Sequence, residues 1–193
     1  MIRYYTNREL AQKLEVNLAR WKRWSRSFLP PDPLGGMQSG YARQYLFKDL
    51  FKVFLGGFLL GHLKLSVAES QKVLADISPW LEANGFYDWN NSTGTGEKSG
   101  PATTAQTLYF CPAAVGDSSG AAGFRYLIRK TIERVDSKPE SDRRTSITYE
   151  ETVIPRESEP GVVPVDHPEV RVLNLTALFN TVVRKLAQPD HRA

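Results

Sequence analysis

Cysteine occurs once, at Cys111, so the chain can form no internal disulfide and no thiol-cluster metal site. Histidine is nearly as scarce, with three isolated residues at His62, His167 and His191. None of these, nor the scattered carboxylates, stands at a spacing suited to a metal site or a nucleophile–base pair. No apolar run approaches the roughly 20 residues of a membrane-spanning helix. The opening MIRYYTNREL also lacks the apolar core of a signal peptide, so a soluble cytoplasmic protein is expected. Gly94-Thr95-Gly96 lacks the flanking strand and helix and the Lys-Ser ending of a phosphate-binding loop. These absences predict a protein that is not an enzyme, with no catalytic residue, no metal and no cofactor. Acidic residues are sparse at the amino end: residues 1–60 hold four Asp/Glu against ten Lys/Arg, and the rest holds seventeen against fifteen. A net charge of +4 therefore hides a basic first part, as phosphate neutralisation requires, and a mildly acidic remainder.

What is present in that basic part is a dense succession of signals from Thr6 to Tyr45. Thr6, followed three residues later by Glu9, is a capping-box start, and Leu10 and Leu14 give an i, i+4 apolar stripe on the helix that follows. A tight turn near Val16-Asn17 precedes a second pattern, Asn17 to Leu29, with sequence NLARWKRWSRSFL. Trp21, Trp24 and Phe28 fall on one face of that helix, while Arg20, Lys22, Arg23 and Arg26 share its two central turns. Rings that anchor a helix while guanidinium groups point outward suit DNA recognition, because the planar fork of Arg bonds two acceptors at once. Three prolines and two glycines in Leu29 to Gly36 then end the helix. Met37 to Tyr45 can form a two-stranded ribbon turning near Gly40, placing Arg43 and Tyr45 on one side and Gln44 on the other. A short helix, a turn and a basic second helix make a helix-turn-helix, whose second helix enters the major groove.

Here the sequence resembles the MerR-type winged helix-turn-helix regulators. The resemblance rests on Tyr5-Thr6, Glu9-Leu10-Ala11, the segment Arg20 to Trp24, Gly40-Tyr41-Ala42-Arg43-Gln44-Tyr45, and Asp49-Leu50 opening a third helix. His62 to Glu69 is similar to that family's opening of a fourth helix, and the likeness covers roughly the first 78 residues. Three positions depart from the pattern: Lys22 stands where Arg is usual, Phe28 where a small Gly is expected, and one extra residue separates Tyr41 from Arg43. The resemblance implies a promoter-acting, nucleoid-associated regulator with double-stranded DNA and RNA polymerase as partners. The DNA-contacting set is Thr6, Asn17, Arg20, Lys22, Arg23, Arg26, Tyr41, Arg43 and Tyr45. An excisionase-like or architectural DNA-binding protein shares these features, and a protein-interaction adaptor is the alternative of another class.

The remaining chain reads as follows. Phe47 to Leu60 is a strongly apolar helix with Leu50, Phe51, Phe54, Leu55 and Phe58 as its stripe. Ser66 and Glu69 form a second capping box for a helix through Ile77, with Pro79 marking its end. Asn91 to Gln106, rich in Gly, Ser and Thr, reads as a flexible linker. Strands are expected at 107–111, 124–135, 144–154 and 170–174, and a helix at 175–186. The stripe Leu175, Leu178, Phe179, Val182, Val183 and Leu186 covers the small sheet or forms a homodimer face. The expected fold is α+β: a mainly α winged helix-turn-helix domain over 1–90, a linker over 91–106, and over 107–193 a small antiparallel β-sheet domain with one terminal helix. That second domain would serve dimerisation, sensing or partner binding.

Overall fold

A computed structural model of the 193-residue chain describes residues 4–32, 43–89, 102–113, 123–136, 144–154 and 168–188. Among the described residues the fold is mixed, with five helices and a four-stranded antiparallel sheet. The chain forms two compact units, Met1–Thr93 with Phe179–Ala193, and Gly94–Leu178.

In the first unit, β1 (Tyr5–Thr6) leads directly into α1 (Asn7–Lys13). The Thr6–Glu9 capping box is complete: the Glu9 N–H donates to the Thr6 hydroxyl at 3.3 Å, and the Thr6 N–H donates to the Glu9 carboxylate at 2.7 Å. Leu10, Ala11 and Leu14 are buried, as the stripe predicts. The helix stops through a paired closure in which the Val16 N–H donates to the Ala11 carbonyl and the Glu15 N–H to that of Gln12. This geometry puts Glu15 at φ 55°, where glycine is the usual residue. Glu15 stays there with its carboxylate 2.5 Å from the Lys185 ammonium, which also donates to the Leu14 carbonyl.

The next helix, α2 (Leu18–Phe28), lies against α3 (Phe47–Gly61) through an unusually close seam. A Cβ at Gly57 would sit 2.2 Å from the Trp24 ring, and one at Gly56 would sit 2.6 Å from the Phe28 ring. Only hydrogen fits at either position. Gly57→Ala is therefore expected to destabilise the chain by about 1–3 kcal/mol through overpacking, measured as a lower urea midpoint. An unchanged midpoint would mean that Trp24 yields freely. The stripe expected along α3 needs correction: Phe54 and Phe58 are only half-buried, while Phe47, Val53 and Leu59 are buried with Leu50, Phe51 and Leu55. Two adjacent glycines let α2 cover a face that periodicity alone assigns to solvent.

The helix α4 (Val67–Ala83) begins at the predicted Ser66–Glu69 capping box but does not stop at Pro79. Pro79 removes one backbone donor. Burial of Ile77 and Leu81 on the same side, both fully inaccessible, keeps the helix going until Gly85 closes it at φ 76°. Beyond α4, Phe86 is buried among the rings of Phe51, Trp80 and Phe179.

The second unit contains β3 (Ala102–Pro112), β4 (Phe124–Asp136), β5 (Arg144–Ile154) and β6 (Arg171–Asn174), in the order β5-β4-β3-β6 with every neighbour antiparallel. The expected strands are all present. The boundary of the linker is corrected, because residues 102–106 pair in register with 130–134. Their threonines and small side chains carry little apolar area, yet the backbone ladder to the long β4 needs none. Leu108, Phe110, Phe124, Tyr126, Ile128 and Leu173 are buried in this unit.

The terminal helix α5 (Leu175–Ala187) corrects both the domain boundary and the dimer stripe. From Phe179 onward the chain belongs to the first unit, because the Phe179 ring meets Phe47, Phe51 and Phe86 edge-on at 5.4–5.6 Å. Leu175, Leu178, Phe179, Val182 and Leu186 are buried within the chain, leaving only Val183 partly exposed. A second copy approaching that stripe would find it occupied.

Candidate nucleic-acid interface

Asn17 starts α2 by accepting the backbone N–H groups of Ala19 at 2.9 Å and Arg20 at 3.3 Å on its side-chain oxygen. From there the helix divides cleanly. Trp21, Ser25 and Phe28 are buried and Trp24 half-buried, whereas Arg20, Lys22, Arg23 and Arg26 are exposed. At about 100° per residue the four cations fill one continuous arc opposite the rings. Arg23 and Arg26 stand at its middle, with Ala19 between them on the same surface. Within the described residues no carboxylate pairs with Arg20, Lys22, Arg23 or Arg26. Among the described residues the charge of the ridge is therefore uncompensated.

Beside the ridge lies a cleft of about 530 Å³. Lys22, Arg26 and Arg43 line it together with Ser25 and Tyr45, and Asp32 is the one carboxylate in the lining. Arg43 precedes β2 (Gln44–Tyr45), which pairs antiparallel with β1 so that Tyr45 lies opposite Tyr5. Its guanidinium donates to the Pro30 carbonyl at 2.9 Å and sits 5.6 Å from the centre of the Tyr45 ring. Those two contacts hold the cation in the lining of the cleft, where a single Arg can still offer further N–H donors.

Tyr45 itself is a correction. Expected to reach phosphate, it is 1% exposed, because its ring packs edge-on against Trp21 at 5.7 Å. Its hydroxyl donates to the Asn7 side-chain oxygen at 2.7 Å, so the Ser25 hydroxyl, 2.6 Å away, must be the donor in the other bond. Asn7, Ser25 and Tyr45 thus tie α1, α2 and β2 together under the ridge. Asn7 and Ser25 were missed in the sequence. A hydroxyl falling on the ring face of α2, four residues after Trp21, was the available signal, since a buried hydroxyl implies a buried partner.

Burial pushes the Tyr45 phenol above its ordinary pKa, against the smaller opposing pull of the Ser25 bond and the Arg43 charge. Burial raises Tyr87 likewise, with the Ser78 bond opposing it. Both phenols favour their neutral form in the native state more than in the unfolded chain. Their contribution to stability is therefore complete below the unfolded-chain pKa near 10 and is lost as pH rises beyond it. Tyr45→Phe is expected to lower stability at pH 7 by about 1–2 kcal/mol through the lost hydrogen bonds, and to flatten the decline between pH 9 and 11. Urea unfolding across that range measures both, and an equally steep decline in the variant would remove Tyr45 from the account.

The other expected contact residues divide in two. Thr6 and Asn17 are engaged as helix caps, so their side-chain oxygens serve the backbone. Tyr41 and most of the expected ribbon, residues 37–42 of 37–45, lie outside the described residues. Gln44, expected on the side away from Arg43 and Tyr45, is the exposed residue of β2. Arg20, Lys22, Arg23, Arg26 and Arg43 remain together as one basic surface.

Elsewhere, Cys111 is buried, and burial raises its thiol pKa, which disfavours the reactive thiolate. His62 is exposed and stacks on Phe58 at 4.3 Å. Among the described residues no group of three His, Cys, Asp or Glu could hold a metal ion, and no helix is long and apolar enough to cross a membrane. Compared with protein-family models, curated proteins and solved structures, the chain matches none.

Proposed function

We propose that the chain is a DNA-binding transcriptional regulator built on a MerR-like winged helix-turn-helix, acting on the nucleoid in the cytoplasm and without enzymatic activity. The observation that carries this reading is the division of α2: four exposed cations on one arc and buried rings on the other. At 1.5 Å per residue the 11-residue helix is about 16 Å long, and with side chains it is about as wide as the major groove. Arg20 and Arg23 reach base edges or phosphates in the groove. Lys22, Arg26 and Arg43 line the adjoining cleft, where three cations against the one carboxylate of Asp32 favour a backbone phosphate. RNA polymerase enters as a second partner if the bound site is a promoter.

The test is selection of bound sequences from a random pool of duplex DNA, followed by titration of a recovered site at several salt concentrations. Recovery of a common motif, with affinity falling by about 0.9 log units per phosphate contact for each tenfold rise in salt, supports the proposal. A pool that stays random and a salt-independent affinity would sink it.

An architectural, excisionase-like role is the second reading, favoured by the end of α4 at Ala83 and by the lack, among the described residues, of any longer helix through which two copies could pair. Gel mobility of circularly permuted sites separates the two. A bend without effect on transcription from a linked promoter favours the architectural role.

A further inference from the structure

The two edges of the four-stranded sheet are unlike. At one edge, β6 has four residues, which is a common way of keeping an edge from pairing. At the other, β5 has eleven residues, RTSITYEETVI, with neither Pro nor Lys, and its register with β4 runs from Tyr126–Ile154 to Asp136–Arg144 without a bulge. Residues 146–152 are all exposed, including Ile147 at 53% and Tyr149 at 58%. A long, unbroken strand rich in β-branched residues is a template for another strand.

Its charge order indicates which strand. In an antiparallel pair of identical strands, only registers that set a residue opposite its own counterpart match donors to acceptors. A centre at Ser146, Thr148 or Tyr149 leaves Glu150 facing Ser, Thr or a position beyond the hydrogen-bonded span, and a centre at Glu150 opposes two carboxylates. A centre at Ile147 sets Arg144 opposite Glu150 twice, once on each side of the axis. The sequence RRTSITYEE reads as a basic pair, five neutral residues and an acidic pair, symmetric about Ile147. On the face it shares with Tyr149, Ile147 would then meet its counterpart, with each Tyr149 at the diagonal position.

We infer that β5 pairs antiparallel with β5 of a second copy of this chain, centred on Ile147, joining two four-stranded sheets into one of eight strands. This homodimer contact replaces the occupied α5 stripe and is independent of whether the α2 ridge meets DNA. Glu150 already pairs with Lys130 of β4 at 2.9 Å.

Charge reversal tests the register on the full-length chain by sedimentation over a concentration series. Wild type is expected to dimerise reversibly. Arg144→Glu and Glu150→Arg should each weaken the dimer about tenfold or more, because each creates two like-charge pairs. An equimolar mixture of the two variants should regain wild-type association, because both cross-strand pairs are complementary again. Glu150→Arg breaks the Lys130 pair and Arg144→Glu sets a carboxylate opposite Asp136 across β4–β5, so circular dichroism of both variants, and recovery of the dimer in their mixture, separate a lost contact from a lost fold. A monomeric wild type, a dimer indifferent to Arg144→Glu, or a mixture no stronger than its components would each overturn the inference. A dimer that ignores both substitutions places the contact at another surface.

Discussion

Trp21→Ala is expected to lower the stability of the chain by about 3–5 kcal/mol. The indole is fully inaccessible, stands on the inner face of α2, and packs edge-on against Tyr45. Truncation removes a large apolar area and leaves a cavity whose walls, α1, α2 and β2, are fixed by the Asn7–Tyr45–Ser25 bonds and relax little. For a unit of about a hundred residues that loss corresponds to a fall in Tm of well over 10 °C. Thermal and urea unfolding measure it. Trp21→Phe should recover more than half of the loss, because a ring remains to face Tyr45. An alanine variant within 1 kcal/mol of wild type would show that α2 is not seated on its tryptophan.

The second large effect is the mirror image. Arg20→Ala, Arg23→Ala and Arg26→Ala combined should leave stability within about 0.5 kcal/mol, because all three side chains are exposed and none holds a carboxylate among the described residues. Under the proposed function the same triple change should weaken DNA binding by about 3 kcal/mol or more, over a hundredfold. It should also reduce the salt slope by about 0.9 for each of the three that touches a phosphate. Unchanged affinity would remove the ridge from recognition altogether. Equal losses on a selected site and on random DNA would assign the three to the backbone, and a loss confined to the selected site would assign at least one to a base edge. The contrast between a residue that matters only to folding and its neighbours that matter only to binding is the clearest signature of a helix with one inward and one outward face.

Local signals were the most legible part of the fold. Thr6–Glu9 and Ser66–Glu69 form the capping boxes their spacing predicts, and α2 is bounded by Asn17 and Leu29 as its sequence pattern indicates. Capping is chemistry between residues three apart, so a sequence displays it directly. The two long strands β4 and β5 were legible for a similar reason, since alternation over 10 or more residues is long enough to define both face and extent. Where the reading failed, a distant contact had the decisive energy. Pro79 sits inside α4 because the burial of Ile77 and Leu81 outweighs one missing donor. Residues 102–106 are strand because β4 supplies a partner ladder that composition cannot reveal. Tyr45 is buried because a serine and an asparagine, 20 and 38 residues away, satisfy its hydroxyl.

Sequence by itself determined the basic asymmetry of the chain, the starts of its helices, the pattern of its sheet, and the arc of cations opposite the rings on α2. Each is fixed by composition or by neighbours within a few turns. Only the tertiary structure decided that Tyr45 supports the ridge instead of extending it, and that α5 spends its apolar stripe inside the chain. It also decided that β5 lies at an edge of the four-stranded sheet. Those outcomes depend on which surfaces meet after long stretches of chain have closed, and burial there is worth more than any local preference the residues declare.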